Sequence, residues 1–156
     1  MSKRIIEGFA ELRLLVGQEL GITDWTVIDQ SCIDAFAEAS RDRQWIHVDA
    51  KRAGAELPGG STIAHGFLTL SLLSSLKSQA FELRDNLQMT INYGLNRVRF
   101  PSPVPSGSRI RARFILQSVE DGDRYIQICL LATVELEASE KPALAAEWLL
   151  RYYSAK

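Results

Sequence analysis

The sequence predicts an α+β fold in which an antiparallel sheet wraps one long buried helix. Three observations carry that expectation. Helical periodicity dominates the first half of the chain and period-two alternation dominates the second. Between them lies a helical segment that is apolar on nearly all sides, and such a helix needs cover.

In chain order, residues 5–19 mix apolar and charged positions at helical spacing, with Gly21 as a stop. Trp25, Thr26, Val27 and Ile28 make a short strand, because β-branched and aromatic side chains suit a pleated surface. Asp29 or Ser31 can cap a second helix whose Ile33, Phe36 and Ala37 share a face, and which frays near Ser40. Residues 41–61 read as irregular, with Pro58, Gly59 and Gly60 as their clearest turn signal. Residues 64–83 form the apolar helix, in which Phe67, Leu68, Leu70, Leu72, Leu73, Leu76 and Phe81 spread around most of the circumference.

Four alternating segments follow. Leu87, Met89, Ile91, Tyr93 and Leu95 alternate until the phase switches to Val98 and Phe100, which predicts a bulge near Asn96 and Arg97. Ile110, Ala112, Phe114 and Leu116 alternate with arginines; Ile126 to Leu136 and Leu144 to Leu150 repeat the pattern. These strands supply the wrapper.

At 156 residues the chain suits one compact domain, without repeat, linker or low-complexity tract. Its 46% hydrophobic and 24% charged composition is that of a globular protein. Eighteen basic against nineteen acidic side chains give a net charge of −1, which argues against a nucleic-acid partner. The basic start lacks the apolar region of a signal peptide, and no apolar run approaches the roughly 20 residues of a membrane span. The expectation is a cytoplasmic protein with no membrane partner. Cys32 and Cys129 share no metal-ligand spacing and are expected as free thiols.

The chain has only two histidines. Asp42 and His47 lie five residues apart in the irregular stretch, where a carboxylate and an imidazole can orient one water, one taking a proton while the other gives one. The same residues would serve equally as a capping Asp and a satisfied structural His. His65 and Gly66 open the apolar helix, whose first N–H groups lack intrahelical partners; glycine there lets a ligand approach the main chain. An oxyanion site for a carbonyl is one reading and a tight loop-to-helix contact is the other. The arginines at 97, 99, 109, 111 and 113 could meet carrier phosphates or simply line a solvated sheet face. No phosphate-cradling glycine motif or metal-ligand cluster is present.

Three blocks make the chain resemble the MaoC-like hydratase family, and more closely its nodulation-protein-N-like branch. They run from Phe36 through Asp42 and His47 to Asp49, from Thr62 through His65-Gly66 to Leu70, and from Ile91 to Pro101 with Pro103, Val104, Pro105 and Gly107 beyond. The likeness covers most of the chain. It implies a hotdog fold that dimerises through its sheets, Asp42 and His47 as the catalytic pair, Gly66 as the oxyanion-hole amide, and Ser74 as a site serine found in some members. It also implies (R)-specific hydration of a trans-2-enoyl thioester with no metal or redox cofactor, coenzyme A or acyl carrier protein being part of the substrate. The chain departs from the common motif, which has Gly before the Asp and Asn-Pro between Asp and His; here stand Arg41 and Gln44-Trp45. The rival expectations are acyl-CoA thioester hydrolysis and non-catalytic acyl-thioester binding.

Overall fold

The computed structural model describes residues 2–155. Where periodicity predicted one helix over 5–19, the chain forms strand β1 (Arg4–Glu7), helix α1 (Gly8–Leu14) and strand β2 (Glu19–Ile22). Glycine explains the difference. Gly8 and Gly17 take φ of 86° and 84°, a left-handed backbone that breaks the helix on both sides. Gly21 has a different task from stopping a helix. A Cβ there would fall 2.6 Å from the Ala80 carbonyl oxygen, so the bare glycine lets β2 cross the end of the central helix.

After β3 (Thr26–Ile28), helix α2 (Gln30–Ser40) is capped by Asp29, whose carboxylate accepts the Cys32 N–H at 2.9 Å. Residues 41–61, expected to be irregular, instead hold two short helices, α3 (Trp45–Val48) and α4 (Ala50–Glu56). Each is too short to show an apolar period; Asp49 caps α4 by accepting the Arg52 N–H at 2.9 Å. The glycine turn stands as expected, with Gly60 at φ 64° and its N–H on the Leu57 carbonyl.

The central helix is two pieces, α5 (Gly66–Ser71) and α6 (Leu73–Ala80). Leu72 joins them, and the i→i−4 ladder continues through it from Leu68 to Leu76. The helix stops before residue 83, because Phe81 turns extended into β4 (Phe81–Arg84), which pairs in parallel with β1. Leu68, Leu73, Leu76 and Ala80 are buried, yet Phe67 is 70% exposed. The sheet therefore covers one side of this helix rather than all of it.

That sheet is antiparallel, in the order β2-β6-β7-β8-β5, with β3 also pairing β6; its long strands are β5 (Leu87–Arg99), β6 (Ser108–Asp121), β7 (Ile126–Leu136) and β8 (Leu144–Ser154). Ile110, Phe114 and Leu116 of β6, Leu130 of β7 and Leu144 and Trp148 of β8 face the helix and are buried. Each such side chain contributes about 1.5–3 kcal/mol by leaving water. The register of β5 against β8 shifts between Leu95 and Val98, which is the bulge the phase slip predicted. β5 is the sheet edge, and its Met89, Ile91, Tyr93 and Leu95 are 40–53% exposed.

On the opposite face Arg109, Arg111 and Arg113 pair with Glu137, Glu135 and Glu19. Their charge is answered within the sheet, so they are poorly placed for a phosphate; Arg97 makes a long 3.9 Å contact to Glu147. Both cysteines are free thiols. Among the described residues no helix is long and apolar enough to cross a membrane.

Candidate active site

α2 ends because Arg41 adopts φ 65°, the left-handed backbone that glycine takes most easily, and this is the position where the common hydratase motif carries glycine. The reversal throws Asp42 to the surface. Its N–H reaches the Ser40 hydroxyl and its carboxylate accepts the Gln44 N–H, both at a long 3.3 Å.

His47 sits on α3 and is 7% exposed. Its Nδ1 lies 2.6 Å from the Ile63 carbonyl oxygen, which can only accept, so Nδ1 carries the proton and Nε2 is left with a lone pair in the uncharged ring. Burial pushes the His47 imidazole below its ordinary pKa; the Ile63 bond works the other way, His65 adds to the lowering and Asp42 opposes it. His47 therefore favours the uncharged form that can take a proton.

The fold brings His65 to the same point. Its ring stacks on that of His47, with centroids 3.7 Å apart and planes at 25°. Its Nε2–H donates to the Asp42 carbonyl at 2.9 Å, while Phe36 packs beside it with ring centroids 5.0 Å apart. Polar atoms of Asp42, His47 and His65 all lie within 4.8 Å of one another. Gln30, at the start of α2, ties this cluster together from behind: its amide N–H₂ donates to the His47 carbonyl at 2.8 Å and its amide oxygen accepts the buried Thr62 hydroxyl. The sequence placed Thr62 and His65 in the second motif block, with His65 as a helix start and no role for Thr62, and no pattern pointed to Gln30. The one available hint was that both histidines fall within the same two short blocks.

A single metal ion fits this trio poorly. An ion bound at about 2.0–2.1 Å must lie near the plane of each ligating ring. The two ring planes, 25° apart and stacked at 3.7 Å, do not converge within that reach. The arrangement suits a water molecule held between a carboxylate and an imidazole nitrogen.

Gly66 is the first residue of α5, directly after His65, and among the described residues no hydrogen bond engages its N–H. An added Cβ would lie 3.1 Å from the Phe100 ring, so a side chain here would crowd the wall that this aromatic provides. Ser74 does not join the cluster. On α6 it lines a small pocket with Lys77, Thr90, Asn92, Trp148 and Leu150, and its hydroxyl meets the Asn92 amide at 3.4 Å.

Comparison with known proteins places the chain in a family. A family model described as MaoC like domain matches residues 13–138. The chain is 49% identical over 150 residues to a protein named 3-hydroxyacyl-thioester dehydratase Z from Mycobacterium tuberculosis, covering 96% of this chain and 98% of that one. It is 47% identical over 141 residues to nodulation protein N of Rhizobium leguminosarum bv. viciae, covering 90% and 88%. Among solved structures, unliganded R-hydratase PhaJ1 from Pseudomonas aeruginosa superposes with a TM-score of 0.74 at 25% identity, over 95% of this chain and 86% of that one. The wrapped helix and antiparallel sheet are a hotdog fold.

Proposed function

Because the chain belongs to the MaoC-like dehydratase family and is a hydro-lyase, we propose that it reversibly hydrates a trans-2-enoyl thioester of coenzyme A to the (R)-3-hydroxyacyl thioester. The observation that carries this reading is His47: its Nδ1–H is anchored on the Ile63 carbonyl, its Nε2 is free, and the Asp42 carboxylate stands beside it. Among the described residues no protein group is bonded to Nε2, which leaves it for a water or substrate proton.

In the hydration direction the thioester carbonyl rests against the Gly66 N–H. Asp42 and His47 hold the water between them. His47 Nε2 takes one water proton as the hydroxyl bonds to C3, and the electron pair of the double bond moves toward the carbonyl oxygen, where the Gly66 N–H meets the developing charge. The imidazolium so formed faces the Asp42 carboxylate, and its burial makes it a ready acid. It returns the proton to C2, and the pair ends the turnover as it began. No redox step is involved. Ser74 and its pocket are a place for part of the acyl group.

The same reading makes the protein a homodimer. β5 offers an unpaired sheet edge among the described residues, and Met89, Ile91, Tyr93 and Leu95 on it remain exposed, as do Phe67 and Phe100. A second copy is the natural cover.

Absorbance loss of crotonyl-CoA and of longer trans-2-enoyl-CoAs tests the activity. Chiral analysis should return the (R) product. Release of free thiol from saturated acyl-CoA without hydration would overturn the reading in favour of a thioesterase. Binding without turnover on any chain length would make the chain a carrier of acyl thioesters.

A further inference from the structure

We infer that His65 is a positioning residue for the hydration reaction, holding Asp42 by its main chain and His47 by its ring face at the same time. The inference rests on the reading of Asp42 and His47 as the pair that holds and activates the water.

Asp42 lies on an exposed connection between α2 and α3, where its other hydrogen bonds, to Ser40 and Gln44, are both 3.3 Å long. Among the described residues the one short bond on Asp42 is the 2.9 Å contact from His65 Nε2–H to its carbonyl. Without it the carboxylate would ride on a loop with little to fix it. His47 is fixed at Nδ1 by Ile63 and at its own carbonyl by Gln30, but neither bond sets the tilt of the ring about that anchor. The stacked face of His65 does, and Phe36 backs His65 in turn. His65 is 3% exposed, and its Nδ1 is buried with no protein partner. It is also the N-cap residue of α5, so the ring that aligns the pair is one peptide from the Gly66 N–H. One rigid side chain thus registers the water-holding pair against the oxyanion site. The titratable groups facing it are Asp42 and His47; Phe36 on α2 brings no charge.

Two substitutions separate its two contacts. His65→Phe keeps a ring to stack on His47 and loses the donor to Asp42. His65→Gln keeps an amide N–H near the place of Nε2 and loses the stack. A displacement of about 1 Å in a reacting group can cost about 10²-fold in rate. Each variant should therefore lose about 10–100-fold in kcat on crotonyl-CoA, with KM changed by less than about threefold. In His65→Gln the acid limb of kcat/KM should move to higher pH, because water gains access to His47 and the lowering effect of His65 is gone.

A purely structural role predicts otherwise: losses that follow thermal stability, and an unmoved acid limb. Folded variants with kcat within about twofold of the parent and an unshifted limb would overturn the inference while leaving the hydratase reading intact; an inactive parent enzyme would sink both. Nitrogen-15 NMR of the unmodified protein needs no variant to fold. It should find the His65 proton on Nε2 and the His47 proton on Nδ1, and a His65 lacking a proton on Nε2 would overturn the inference by itself.

Discussion

Replacing His47 by Asn removes the proton-transfer nitrogen while sparing most of what holds the residue. The Asn amide N–H₂ occupies the place of Nδ1 and can keep the 2.6 Å bond to the Ile63 carbonyl, and the main-chain bond to Gln30 is untouched. What disappears is Nε2 and the ring stacked on His65. Loss of a general acid–base group costs about 10²–10⁴-fold, or about 3–5 kcal/mol of transition-state stabilisation. Loss of the stack costs about 0.5–1.5 kcal/mol of folding stability.

The two effects separate further with pH. Burial holds the folded-state pKa of His47 below its ordinary 6.5, so below pH 6.5 the unfolded chain binds the proton more tightly and the parent loses stability as the pH falls toward the folded value. The Asn variant lacks that component, and its stability deficit should shrink at acid pH. Steady-state hydration of crotonyl-CoA and urea melts from pH 5 to 8 test both points. Asp42→Asn should show a comparable kinetic loss, and the double variant should lose far less than the product of the two. Activity per folded molecule that survives in either single variant, alongside a clear loss of stability, would refute the catalytic reading.

Gly66→Ala places a Cβ 3.1 Å from the Phe100 ring, so kcat/KM should fall about tenfold as that wall shifts; Phe100→Leu in the same chain should restore part of it, and kinetics on the two variants decides. Arg41→Gly relieves a left-handed backbone at φ 65° and should raise stability by about 0.5–1 kcal/mol after the added freedom of the unfolded chain, read from denaturant midpoints. Ile91→Lys puts a charge on the exposed edge strand and should convert a dimer to a folded monomer by light scattering, with circular dichroism unchanged.

The bulge at Asn96 and Arg97 was legible because a one-residue slip in a period-two pattern has no other simple reading, and β6, β7 and β8 were legible because each alternates over its length. The first helix was overextended. Spacing alone does not register that Gly8 and Gly17 sit at positive φ, nor that Ile6 is held by β4 opposite Leu83, 77 residues on. α3 and α4 were missed because four and seven residues are too few to show a helical period. The central helix was judged covered all round, but exposed Phe67 shows that apolar periodicity reports which faces are greasy and not what lies against them.

By itself the sequence determined the class of the fold, the helix that the sheet wraps, and Asp42, His47 and Gly66 as the residues to watch, since periodicity and short motifs are local properties of the chain. Only the tertiary structure decided that His65 lies face to face with His47 and bonds the Asp42 carbonyl, that Gln30 and Thr62 brace the cluster, and that Ser74 lines a pocket of its own. Those relations join residues from 16 to 32 positions apart, whose side chains meet only because α2, α3 and the start of α5 pack together. Packing of that kind depends on the shape of the whole core, and no local pattern in the chain records it.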